Sequence, residues 1–228
     1  MEHYDVSKLD TSIHIEGFPD ALKAIQLHGT QAKRLSDMSL HKADLDFAEN
    51  CLNAINTAPE EPNVTREALW RSAIVHFIKC FGDSSSRFQL SHIKVLKSEP
   101  GEAKIAFEYF KNIRNKHIIH DENSYAQSIP GAILNKGDKS YKIEKIICFT
   151  AITATLDQTS YGNLILLIQK TRAWVITEFD QLCISLTTEL EKESYTNLVA
   201  KESMEFRVPK IEELHKKRDS FSKNDTAK

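Results

Sequence analysis

The run Arg114-Asn115-Lys116-His117-Ile118-Ile119-His120 gathers a guanidinium, a carboxamide and two imidazoles in a short stretch of chain. It follows a segment in which Ala106, Phe110 and Ile113 recur at helical spacing. Counted at about 100° per residue, these three share one narrow face, His117 and His120 continue it, and Arg114 borders it. On a regular helix Lys111 and Asn115 point elsewhere. An apolar stripe that ends in two imidazoles and a guanidinium sets a physical problem, because such groups are rarely buried without partners. An internal hydrogen-bond network, a metal, a partner subunit or a phosphate would each answer it.

The plainest answer is structural: His117 and His120 end a helix, where positive groups interact favourably with the C-terminal dipole. A metal is a second answer, since His-x-x-His sets two imidazoles on one helix face, with Asp121 beside them. No third ligand stands at a recognisable spacing, and His76 and His92 are only loose candidates. The expectation is therefore no metal and no cofactor. A glycine-rich phosphate loop is absent, as is a serine or cysteine nucleophile elbow. Trp70, Trp174 and the phenylalanines at helical spacing read as core rather than as platforms for stacking bases.

The elements around this segment are mostly helical. Residues 1–16 alternate only weakly and read as a loose arm. From Pro19, residues Ala21, Leu22, Ala24, Ile25, Leu27, Ala32 and Leu35 fall at helical spacing. Gly29 and Ser36-Asp37 interrupt the pattern before it resumes toward Ile55, so residues 19–55 form one bent helix or two. Pro59 and Pro62 break the chain, Asn63 is a candidate cap, and the next helix spans residues 64–81 with Gly82 as its stop. A short element is expected around residues 92–96. The helix that carries the site begins near Pro100, with Ser98 as its candidate cap, and reaches His120. Residues 129–134 and 141–150, rich in β-branched and apolar side chains, flank Asn135-Lys-Gly-Asp-Lys139 and read as a β-hairpin. From Gln158 the helical period returns and extends toward Phe206, which would make a helix of roughly 70 Å. A helix that long usually packs on a partner chain. The stretch after Pro209 mixes Lys216-Lys217-Arg218 with Glu212, Glu213, Asp219 and Asp225, and reads as a solvated, partly disordered polar tail.

Length and composition bound the function classes. The chain has 228 residues, 41% hydrophobic and 27% charged, which suits one large domain with an arm and a tail. Only 7 glycines and 6 prolines argue for long helices over many short strands. A formal net charge of −2 leaves no whole-protein footprint for nucleic acid or membrane, so any such contact is local. The cysteines Cys51, Cys80, Cys148 and Cys183 form no Cys-x-x-Cys pair, and the first residues lack the basic and apolar regions of a signal peptide. The expectation is reduced, mostly buried thiols in a cytoplasm. The apolar stretch at residues 164–168 is far short of the ~20 residues that a membrane span needs.

The segment at residues 114–120 resembles the Arg–polar–x(4–6)–His signature of HEPN domains, with Asn115 as the polar residue and His120 as the histidine. The following Asp121, the hairpin and the long last helix look like the abortive-infection-type branch of that family. The resemblance implies a mainly α, HEPN-like helical bundle over residues 17–208, with an inserted hairpin near residues 129–150 and a long C-terminal helix. Residues 1–16 and 209–228 lie outside it. It further implies a metal-independent endoribonuclease of a toxin–antitoxin or antiphage system, working on RNA as a homodimer whose two motifs face one cleft. An antitoxin or other partner protein is implied as well. His120 would be the general base on the 2′-hydroxyl, Arg114 would bind the phosphate and its transition state, and Asn115 would add a hydrogen bond. His117 would be a second proton-transfer group, and Lys111 and Lys116 would raise the local positive potential. The competing expectation is a HEPN-like bundle without catalysis, acting as a scaffold for a partner.

Overall fold

Helices dominate the computed structural model, which describes residues 6–9, 12–15, 17–57, 64–204, 210–216 and 218. The expected break at Pro59 and Pro62, the Asn63 cap, Phe206, Pro209 and most of the polar tail lie outside the described residues. The chain forms two compact units, one of residues 1–43, 82–89 and 172–228, the other of residues 44–81 and 90–171.

In the first unit the arm contains two short strands, β1 (Val6–Leu9) and β2 (Ser12–Ile15), paired antiparallel with Val6 opposite Ile15. The helix expected from Pro19 does not form. Residues 24–26 instead pair with chain far along the sequence: Gln26 donates to the Glu202 carbonyl at 2.8 Å, and Met204 donates to that of Ala24 at 2.8 Å. Gly29, at φ +96°, turns the backbone into α1 (Thr30–Ile55). This is one helix, unbroken at Ser36-Asp37. The Asp37 carboxylate does not compete for its own backbone because it is buried and otherwise engaged. It accepts from the Phe88 N–H at 3.2 Å and from Arg218. Arg218 also donates to the Ser86 carbonyl at 2.7 Å, so one residue of the expected solvated tail is held against this unit.

The last long helix, α5, covers Gln158–Leu190 and stops well before Phe206. Its 33 residues span about 50 Å rather than 70 Å. After it, Ser194 starts a separate short helix, α6 (Tyr195–Ala200), by accepting the Asn197 N–H at 3.2 Å.

In the second unit α2 (Val64–Lys79) ends before Gly82. Its last turn tightens through Cys80 N–H to the Phe77 carbonyl (3.2 Å) and Phe81 N–H to that of Ile78 (2.9 Å). Gly82 is not among the glycines of positive φ, so it does not end α2 as a left-handed cap. The short α3 (His92–Val95) lies where the sequence places it. Pro100 rather than Ser98 precedes α4 (Gly101–Ile113), and the Ser98 hydroxyl turns to Glu99 instead, at 3.3 Å. The core here is aromatic: Phe107 packs edge-on to Phe77 and Phe81, and Phe110 packs edge-on to Trp70. The Trp70 indole N–H donates to Thr155 Oγ1 at 2.9 Å, tying α2 to the chain that leaves the hairpin. Other aromatic residues are not core: Phe47 is exposed and Trp174, in the first unit, is half-buried. Cys51 and Cys80 are buried, whereas Cys183 is partly exposed and Cys148 exposed, and no disulfide joins any of the four. No helix among the described residues is long and apolar enough to cross a membrane.

α5 begins on a complete N-terminal cap. Asp157 Oδ1 accepts the Thr159 and Ser160 N–H groups, each at 2.9 Å, and Ser160 Oγ donates to Oδ2 at 2.6 Å. The Ser160 hydroxyl, with these two amides, holds the Asp157 carboxyl below its ordinary pKa. A carboxyl depressed in the folded state stabilises the fold above its unfolded pKa, and that contribution is lost as pH falls through the folded value. Asp157→Ala is expected to cost about 1 kcal/mol at neutral pH. The gap between variant and wild type should close toward acid in urea denaturation curves.

Candidate functional site

α4 carries the site to its edge and then changes character. From Arg114 to Ile119 the helix is π-helical, closing i→i+5 rather than i→i+4, before His120 leaves it in extended backbone (φ −131°, ψ 142°). The Glu122 N–H reaches back to the Lys116 carbonyl at 3.0 Å and closes this wider end. A count at 100° per residue therefore fails from Arg114 onward. The helix does not reach His120, and His117 and His120 do not continue one stripe: His117 is buried and His120 is exposed. The helical His-x-x-His geometry of the metal reading is lost with it. Among the described residues no group of three or more His, Cys, Asp or Glu is placed to hold a metal ion.

Within this turn Asn115 meets its neighbour Arg114. The guanidinium donates from Nη1 to Asn115 Oδ1 at 2.9 Å, so the residue expected to point elsewhere holds the half-buried arginine fork. Arg114 Nε is buried and finds no hydrogen-bond partner. Lys111 sits beside Glu108, with 3.4 Å to each carboxylate oxygen, so much of its charge is offset locally. Lys116 and His120 face solvent, next to the exposed Asp121 and Glu122.

His117 is 6% exposed, and neither ring nitrogen has a hydrogen-bond partner. Its ring packs edge-on against Tyr125, 5.6 Å between centroids, at the entrance to the hairpin. On α4, Tyr109 lies near Tyr125 and Asp157. Burial pushes its phenol pKa up, the charges of Tyr125 and Asp157 add to that, and a hydrogen bond with Ser160 opposes it. Sequence reasoning missed Tyr109, Tyr125 and Glu108. Nothing in the periodicity links a tyrosine at the mouth of a hairpin to a histidine on the preceding helix.

The imidazole of His117 is desolvated without compensation from any protein group, which costs on the order of 1–3 kcal/mol. His117→Leu is of similar volume and carries no polar atom. It is expected to raise stability by about 1 kcal/mol or more in denaturant titration. A loss of several kcal/mol would show instead that the ring nitrogens are satisfied in solution.

Comparison of the chain with family models, with curated proteins and with solved structures finds no match.

Proposed function

We propose that the chain is a metal-independent endoribonuclease of the HEPN type, acting in toxin–antitoxin or antiphage defence. The observation that carries the reading is the end of α4. There Asn115 holds the Arg114 fork at 2.9 Å, and His120 stands exposed just beyond the π-helical turn. A fixed guanidinium is suited to grip phosphate oxygens and to stabilise the charge that develops on phosphorus. A solvent-facing imidazole is suited to take the proton from a 2′-hydroxyl. In this reading His120 is the general base, Arg114 binds the phosphate, Asn115 orients it, and Lys116 adds positive potential from the exposed side. His117, buried under Tyr125, fits a positioning role better than direct proton transfer to RNA. Two copies would bring their motifs to one cleft, with RNA as substrate and an antitoxin as a partner.

The test is cleavage of a mixed pool of labelled tRNA and mRNA with EDTA present. Products ending in 2′,3′-cyclic phosphate are the expected result. No cleavage by folded protein at micromolar concentration would leave the second reading, a scaffold without catalysis. One observation favours that alternative: a hairpin of exposed apolar side chains in the same unit is what an assembly module would carry.

A further inference from the structure

The hairpin consists of β3 (Ala126–Leu134) and β4 (Ile143–Ile152), paired antiparallel, and almost none of it is buried. Ile129, Ile133, Leu134, Ile146, Phe149 and Ile152 are 44–72% exposed. By the register they divide between the two faces of the ribbon, Ile129, Ile133 and Phe149 on one and Leu134, Ile146 and Ile152 on the other, so at roughly 200 Å² for a fully exposed residue of this size each face presents about 350–400 Å² of apolar-rich surface. A long strand edge flanked by exposed apolar side chains is a ready template for pairing with another chain. An isolated two-stranded ribbon is also marginally stable in water.

The hydrogen-bond parity of the ribbon shows which edge is available. Thr153 N–H donates to the Tyr125 carbonyl at 2.8 Å, so this pair is a hydrogen-bonded one. Along the same register the bonded pairs alternate with unbonded ones, which places Pro130 opposite Cys148 in an unbonded pair. The missing N–H of Pro130 therefore faces outward and interrupts the outer edge of β3. By the same parity the N–H and C=O groups of Ile146, Cys148, Thr150 and Ile152 face outward from β4, with no proline among them. Among the described residues the sheet ends there, at two strands.

We propose that the outer edge of β4 pairs antiparallel with β4 of a second copy of this chain, making one four-stranded sheet across a two-fold axis. A two-fold antiparallel pairing sets one residue opposite itself. Centring it on Phe149 matches all four outward-facing residues with one another, Ile146 with Ile152 and Cys148 with Thr150. Ile147 then lies opposite Ala151, and the two Phe149 rings meet on the axis. The strand's only charges, Glu144 and Lys145, fall at its far ends, where neither meets a like charge. This pairing uses the same patch on both copies, as an isologous interface does. Assembly stops at two copies, because the pairing consumes the open β4 edges and leaves only β3 edges interrupted by Pro130.

This inference is independent of RNA cleavage; a dimer without nuclease activity supports the one and not the other. The mass of the intact chain, read by light scattering after gel filtration, is expected to be that of a dimer. Thr150→Pro removes an outward donor while leaving the β3–β4 ladder intact, and is expected to give a monomer; Thr150→Ala is expected to remain dimeric. In Thr150→Cys the new thiol lies opposite the partner's Cys148, about 5.5 Å between Cα atoms, within disulfide reach. Mild oxidation should give a covalent dimer with a linkage that maps to these two positions. A monomeric wild type, a dimeric Thr150→Pro, an open polymer, or failure of the Thr150→Cys thiol to link to Cys148 overturns the proposal. The cross-link decides the matter should the proline variant fail to fold.

Discussion

His120→Ala is expected to lower RNA cleavage by about 10²–10⁴-fold, the usual contribution of a positioned general base. Its structural effect should be small, because the side chain is exposed and its backbone already lies outside the helix. Exposed substitutions of this kind usually stay within about 0.5 kcal/mol. Far-UV circular dichroism and the denaturation midpoint should therefore match wild type while activity disappears. Arg114→Lys keeps the charge but loses the planar fork that Asn115 holds, and is expected to cost about 10²-fold or more. Rate measurements on both variants, with EDTA present, separate chemistry from folding. Unchanged cleavage by His120→Ala would remove this residue from the mechanism.

Phe107→Ala is expected to have the largest effect on stability. The ring is 1% exposed and lies at the centre of an aromatic cluster: 4.8 Å from Phe81, 6.1 Å from Phe77, and stacked on His92 at 4.7 Å. Deleting it removes both the transfer free energy and the contacts of every ring that faces it, about 3–5 kcal/mol in total. For a chain of this size that corresponds to a fall in melting temperature of roughly 10 °C. A fall of one or two degrees in calorimetry would mean that the cluster closes over the gap.

Local pattern was sufficient for several elements. The β-branched runs on either side of residues 135–139 pair as a hairpin, and Gly137, at φ +94°, provides its turn. Of the face expected on α4, Phe110 and Ile113 are buried and Ala106 is half-buried. Other patterns were misleading for a definite reason. Residues 21–27 have helical spacing, but residues 24–26 pair as extended chain with residues 202–204, a distant strand-like partner that takes up their backbone. Ser36-Asp37 resembles a helix start, yet Asp37 is taken up by Phe88 and Arg218, both remote in sequence. In each case a long-range hydrogen bond outweighed a local preference of a few tenths of a kcal/mol per residue.

The same division runs through the candidate site. The sequence by itself determined the inventory: a guanidinium, a carboxamide and two imidazoles, at the end of an apolar helix in a mainly helical chain. It also determined the hairpin that follows. Tertiary structure alone decided what that inventory became. In and just beyond the i→i+5 turn, Asn115 accepts from Arg114, His117 lies buried against Tyr125 and His120 faces solvent. A one-residue change in hydrogen-bond closure rotates every later side chain, and this turn lies against α2 and is closed by a bond from Glu122 that a count along the sequence does not contain. Exposure of the β4 edge was likewise decided in three dimensions, since an alternating apolar run does not say whether a neighbour will cover it.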